Sequence, residues 1–346
     1  MSDQNEKLSR KRRKNERDEL RKMKREAKRL KAKATEEVTE ASIPTIKITD
    51  LNNDCLEVIF NHLEFNDLFN VADSNKLLTS AAGRVYWKKY RKMPVDLYTC
   101  YTTDECFKIR AHCIWVYDRT AALKFLRYFG HIITKLRITC FSIKNPYLAE
   151  LHRYVFEYCS ETLIQISFCY MIACAFFPIE KSFPNVESVS FRYCMVDENL
   201  SQLNKWFPNV RRLTFGYFVK LDNRKCIEKY FPHLQSLSIE RFCPQNQFGF
   251  EEQNAMEALR LNPNLQHLKL KNFDTKFLRK ASEYMKRVES LEITIRRSDI
   301  NHRGSSIRLE KVKRLVIHGD RDQHIDFSTL PFTFGCVHEV IYIKQK

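Results

Sequence analysis

Three stretches decide the reading of this chain: Phe183-Pro184-Asn185-Val186-Glu187-Ser188-Val189-Ser190-Phe191, Phe207-Pro208-Asn209-Val210-Arg211-Arg212-Leu213-Thr214-Phe215 and Phe231-Pro232-His233-Leu234-Gln235-Ser236-Leu237-Ser238-Ile239, each 24 residues after the last. The closing residues alternate apolar and polar, the signature of a strand with one buried face. Proline in the lead-in stops a preceding helix and sets the turn into that strand. Asn262-Pro263-Asn264 supplies a fourth lead-in before Leu265.

Outward from these copies, an apolar-x-x-apolar-x-apolar pattern starts at Ile133, Leu163, Val186, Val210, Leu234, Leu265, Val288 and Val312, with a degraded ninth copy from Val337 to Tyr342. The steps between starts are 30, 23, 24, 24, 31, 23, 24 and 25 residues. Between strands the apolar spacing turns helical, as at Leu200, Leu203, Trp206 and Phe207, at Ile227, Tyr230 and Phe231, or at Leu278, Ala281 and Met285. A strand plus a helix cannot bury its apolar face alone, so neighbours must stack. Nine strands at roughly 4.8 Å give a curved array about 40 Å long. The connectors Arg296–Ile307 and Gly319–Cys336 are polar and are expected to be loops. The period is that of leucine-rich repeats, which the strands resemble in a divergent, insect-type form. The position three after the last apolar residue is Phe141, Met171, Cys194, Phe218, Phe242 or Phe273, so a buried amide ladder is not expected there.

Composition removes several function classes. The 346 residues include only 7 glycines, no two closer than fifteen apart, so neither GxxxxGK[ST] nor GxGxxG can occur. HExxH, G-x-S-x-G and CxxC are absent, and the ten histidines pair with no ligand at metal spacing. No catalytic site, metal or cofactor is expected. The twelve cysteines are irregularly spaced and read as buried or incidental reduced thiols in nucleus or cytoplasm. No secretory signal follows Met1, and Leu163–Ile179 is broken by Gln165, Ser167 and Pro178, so no membrane span is expected. Fifteen Lys/Arg against four acids in residues 7–33 place +11 of the net charge of +17 in a short arm. Arg10-Lys11-Arg12-Arg13-Lys14 has the form of a nuclear-import run.

Residues 43–92 read as a small helical unit. Leu51-Asn52-Asn53-Asp54 offers N-caps, after which Leu56, Ile59, Phe60 and Leu63 line one helical face. Asn66 is expected to cap a second helix with Leu68, Val71 and Ala72, and the stretch ends at Trp87. So small a unit leaves apolar surface wet without a partner. The pattern Leu51…Leu56-x-x-Ile59-Phe60-x-x-Leu63-x-x-x-Asp67-Leu68…Val71-Ala72…Trp87 resembles the F-box. Asn52 stands where a proline is usual, and Asp73 where an apolar residue is usual.

The resemblance implies an α/β chain in four parts: a basic arm (1–42), an F-box-like helical domain (43–92), a linker and N-terminal cap (93–132) and a leucine-rich-repeat solenoid with a parallel sheet (133–346). It implies the substrate-recognition subunit of an SCF-type ubiquitin ligase, itself catalysing nothing. Leu51, Leu56, Ile59, Phe60, Leu63, Leu68, Val71 and Trp87 would dock a Skp-family adaptor, which bridges to a cullin and a RING subunit. Alternation within each strand puts Arg137, Arg192, Arg212, His267, Lys269, Lys271 and Arg314 on the concave face, where an acidic or phosphorylated target would bind. The other reading is a nuclear repeat scaffold without ligase activity, its arm contacting nucleic acid.

Overall fold

The computed structural model describes residues 19, 21–29, 47–98, 107–110, 112–140, 147–170, 182–196, 202–216, 220–221, 229–240, 252–294, 307–319 and 332–344. The chain forms two compact units, Met1–Asn52 and Asn53–Lys346. In the first, residues 21–29 are helical with every side chain exposed, and a 3-10 turn spans Ile48–Asp50. The basic run 10–14 and connector residues 296–306 and 320–331 lie outside the described residues.

The second unit opens with helices α1 (Asn53–Phe60), α2 (Phe65–Ser74) and α3 (Lys76–Tyr90). Asn66 does not cap α2: the helix already includes Phe65, with Glu64 at the cap position. The reason lies in packing, because Phe65 is buried and meets Tyr86, Tyr90, Phe107 and Phe125 within 6.2 Å between ring centroids. Asn75 caps α3 instead, its side-chain oxygen accepting from the Leu77 amide at 2.9 Å.

The chain then runs through strands β1 (Val95–Tyr98), β2 (Phe107–Arg110) and β3 (Cys113–Val116) into helix α4 (Arg119–Phe129). Tyr86 stacks on Phe129 of α4 at 4.7 Å, and Phe69 lies 4.4 Å from Phe107 of β2. Offset and edge contacts of this kind add to the burial of each ring. Helices α2 and α3 therefore share one aromatic core with β2 and α4, which lets so small a helical unit bury its rings.

Nine repeat strands follow: β4 (Lys135–Thr139), β5 (Gln165–Cys169), β6 (Ser188–Arg192), β8 (Arg212–Gly216), β10 (Ser236–Glu240), β11 (His267–Lys271), β12 (Ser290–Thr294), β14 (Arg314–Gly319) and β16 (Glu339–Lys344). With β1 to β3 they make a twelve-stranded, mostly parallel sheet ordered β16-β14-β12-β11-β10-β8-β6-β5-β4-β1-β3-β2. Only β2 with β3 is antiparallel. The fold is mixed α/β, with helices α5 (Leu148–Cys159), α6 (Leu203–Trp206), α7 (Glu252–Leu261) and α8 (Thr275–Ala281) in the connections. Register keeps like positions together: Leu136, Ile166, Val189, Leu213, Leu237, Leu268, Leu291 and Leu315 form one row, each 2% exposed or less. Val340, next in that row, is 46% exposed, because no further described repeat covers it.

The connectors differ from a uniform helix layer. Short parallel pairs join β7 (Met195–Val196) to β9 (Lys220–Leu221) and β13 (Ile307–Leu309) to β15 (Phe332–Phe334). The late connectors thus carry strand at their ends, where Ile307, Leu309, Phe332 and Phe334 favour it. An amide ladder does exist, at a different position. The lead-in residues Asn185 and Asn209 donate side-chain N–H to the carbonyls of Glu161 and Pro184 in the previous repeat, each at 2.8 Å. Asn262 replaces the lead-in phenylalanine and is buried, accepting from the Phe231 amide and donating to the carbonyls of Lys229 and Ala258.

His152 sits on the buried face of α5, edge-on to Phe168, and burial holds its imidazole well below the usual pKa. The unfolded chain takes up a proton there near pH 6.5, whereas the folded chain does so only at lower pH. The stability present above that pH is lost as pH falls, by at most about 1.4 kcal/mol per pH unit for one proton. Urea melts at pH 7 and pH 5 should show a smaller acid-induced loss for His152→Phe than for the native chain.

Candidate functional site

The helical residues expected to dock an adaptor divide by burial. Leu56, Phe60 and Leu68 are 2%, 1% and 0% exposed, so they hold the core and offer nothing to a partner. Leu63 and Val71 are half-buried, and Leu51 belongs to the other compact unit. Ile59 and Trp87 are 43% and 47% exposed, and the Arg91 guanidinium lies 3.8 Å above the Trp87 ring. Two exposed apolar side chains were not among the expected ones: Val58 on α1 and Leu77 on α3, each 66% exposed. Their signal was available, since each lies off the buried stripe of its helix yet is apolar.

Ion pairs set the geometry around them. Glu57 on α1 takes Arg84 at 2.8 Å and also Lys88, both from α3. These hydrogen bonds, led by that from Lys88, hold its carboxyl below the usual range. Lys89 donates to the carbonyls of Asn61 and Leu63, closing the end of α1. Asp73, the departure from the F-box pattern, accepts from Lys124 at 2.7 Å and from the Tyr128 hydroxyl at 2.8 Å, both on α4. Its carboxyl is lowered chiefly by Lys124. The Asp73 carboxylate thus ties α2 to α4. Beside it a groove of about 820 Å³ runs past Asp73, Lys76, Arg84, Trp87, Arg127 and His131.

The sheet face opposite the leucine row carries the other candidates. Arg137 lies 3.3 Å from the buried carboxylate of Asp96, which also accepts from the Thr139 hydroxyl at 2.9 Å. Burial raises the Asp96 pKa against those two partners, and it pushes the nearby Cys113 thiol up to about 11. Lys269 contacts Glu292 at 2.8 Å and Glu240 at 3.9 Å, Lys271 contacts Glu240 at 3.2 Å, and His318 meets Glu292 at 2.6 Å. Burial works to raise Glu292, but Lys269 and His318 outweigh it and leave the carboxyl lowered. Arg314 pairs with Glu339 at 2.9 Å.

Four of the seven expected target-binding residues, Arg137, Lys269, Lys271 and Arg314, therefore already face a carboxylate. Arg192 and Arg212 are exposed and make no ion pair among the described residues, and His267 is exposed as well. Gly216, between Arg192 and Glu240 in register, lets both lean inward: a Cβ there would lie 3.4 Å from Glu240 Oε2 and 3.6 Å from Arg192 Cγ. The alternation of the sequence also places Glu240 and Glu292 on this face, but not Asp96 or Glu339, which come from strands flanking the strongest repeats. No protein-family model matches this chain, and no curated protein is similar to it in sequence. Among the described residues no cluster of three or more His, Cys, Asp or Glu could hold a metal ion. No described helix is long and apolar enough to cross a membrane.

The burial split is directly measurable. Leu56→Ala should cost about 2–5 kcal/mol of unfolding free energy, as cavity-forming substitutions do. Ile59→Ala, at an exposed site, should cost less than roughly 1 kcal/mol. Guanidinium melts of the two variants check this, and equal losses would overturn the assignment of Ile59 to an open face.

Proposed function

We propose that this chain is the substrate-recognition subunit of an SCF-type ubiquitin ligase. In this reading α1–α3 are an F-box, and the sheet with its connections is a leucine-rich-repeat solenoid. The observation that carries it is a set of apolar side chains left exposed by a helical unit whose own core is already filled. Val58, Ile59, Leu77 and Trp87 stay exposed although Leu56, Phe60, Leu68 and Tyr86 are fully packed. Apolar side chains left on such a face fit docking to a protein partner, here a Skp-family adaptor that bridges to a cullin and a RING subunit.

The repeats would hold the target near the conjugating enzyme, so the contribution of this chain is proximity rather than bond chemistry. On the sheet face the open cations Arg192 and Arg212 are the places where an acidic or phosphorylated target segment would be gripped. The paired cations would contribute less, because their carboxylates must first be displaced.

The test uses the full chain and a purified Skp-family adaptor in calorimetry. Val58→Asp with Ile59→Asp places two charges on the face without touching the core. Adaptor affinity should fall at least tenfold while the melting temperature stays within about 2 °C. If the native chain does not bind the adaptor, the ligase reading fails and the nuclear scaffold, with its basic arm on nucleic acid, replaces it.

A further inference from the structure

A pocket of about 550 Å³ opens along the rim where the chain enters strands β8 to β14. Arg211, His233, Arg287 and Lys311 line it, each from a different repeat and each exposed. The backbone ladder fixes their spacing: each pre-strand carbonyl on this rim accepts amides of the next repeat at 2.8–3.1 Å. From β8 to β14 there are four strand spacings, so the cations are spread over roughly 19 Å. That length matches about six residues of an extended peptide.

Charge and chemistry narrow the ligand. Glu289 is the one acid in the lining, and its carboxylate is held by Lys313 at 3.0 Å, while Arg211 keeps a long contact of 4.0 Å to Glu187 outside the lining; Arg287 and Lys311 carry no ion pair among the described residues. The lining therefore keeps a surplus of positive charge. Arg287 donates one N–H to Asn264 Oδ1, which anchors the guanidinium and leaves its remaining donors without an acceptor among the described residues. A planar guanidinium with free paired donors suits the two oxygens of a phosphate better than a single carboxylate contact. No aromatic ring other than His233 lines the pocket, so it has no platform for stacking bases.

We propose that this rim pocket binds a phosphorylated segment of a partner protein, Arg287 and Lys311 taking phosphate oxygens and Arg211 a neighbouring acidic charge. The site is independent of adaptor docking, because its residues all belong to the repeats.

The experiment is fluorescence anisotropy of the full chain with a labelled peptide of three phosphoserines separated by glycines. Its unphosphorylated counterpart, a hexathymidine of single-stranded DNA and inorganic pyrophosphate are the other probes. The phosphopeptide should bind at least tenfold tighter than the unphosphorylated peptide and than hexathymidine, and more weakly as salt rises. Arg287→Ala with Lys311→Ala should weaken it at least tenfold. Lys92→Ala with Lys205→Ala, which removes the same charge elsewhere, should change it less than twofold, so any contribution of the basic arm cancels in the ratio. Arg287→Lys should recover only part of the loss, since it restores charge without the fork.

Equal binding by the native chain and the Arg287/Lys311 variant overturns the proposal, as does hexathymidine binding as tightly as the phosphopeptide. Displacement by pyrophosphate at the peptide's own concentration also overturns it, marking a site for free oxyanions. Both substituted side chains are exposed, and the single variant Lys311→Gln serves if the double variant melts early. Adaptor affinity measured on the same variants should stay unchanged, so failure here and failure of the ligase reading give different patterns.

Discussion

One carbonyl per repeat carries the architecture. The carbonyls of Thr134, Ile164, Glu187, Arg211, Gln235, Gln266, Glu289 and Lys313 each accept two consecutive amides from the following repeat, at 2.8–3.1 Å. This shared acceptor locks the residue before each strand to the residue before the next. It therefore fixes register for the whole sheet, and a slip of one residue would turn every leucine of the buried row outward. Strand order follows chain order from β4 to β16 for the same reason, since each repeat finds its partner in the one just made.

Side chains reinforce that register on the inside. Phe168, Phe191 and Phe215 stack in consecutive strands at 5.2 and 5.6 Å, and the lead-in rings of Phe183 and Phe207 stack at 5.5 Å. The chain turns sharply after several strands, with Tyr170, Tyr193 and Asn272 at positive φ directly beyond β5, β6 and β11. Bulky residues rarely adopt that conformation. Here neighbouring contacts hold it: the Tyr170 and Tyr193 amides bond to the carbonyls of Arg192 and Gly216, and the two rings stack at 4.7 Å.

The outer face shows how repetition shapes charge. Identical positions in successive strands sit side by side, so like charges would repel along a row. The C-terminal repeats avoid this by alternation, with Glu240, Lys269 and Glu292 on three neighbouring strands forming one connected set. Arg192 and Arg212 are separated from like charge by Ser190, Thr214 and Gly216 and need no such partner. The rim cations Arg211, Arg287 and Lys311 are spaced by intervening repeats in the same way. Arg211 keeps a long contact to Glu187 at 4.0 Å, so Arg192, Arg212, Arg287 and Lys311, without an ion pair among the described residues, are the cations that a ligand can use at least cost.

What the amino-acid sequence determined by itself was periodic. The nine strand positions, the buried leucine row, the outward set containing Arg192 and Arg212, and the helical tendency of residues 53–90 all follow from local alternation, which depends only on near neighbours. What only the tertiary structure decided involved partners far apart in the chain. Leu56 and Phe60 became core, leaving Ile59 with Val58 outside, because α1 packs on α3, whose Arg84 reaches Glu57 across 27 residues. Asp73 changed from a departure from pattern into a tie because Lys124 and Tyr128, one helical turn apart on α4, meet it across 51 and 55 residues. Arg137 lost its freedom to Asp96 on a strand that the repeat pattern does not include. Pairings of this kind obey no short period, since they are set by which surfaces the closed core brings within a few ångströms of each other.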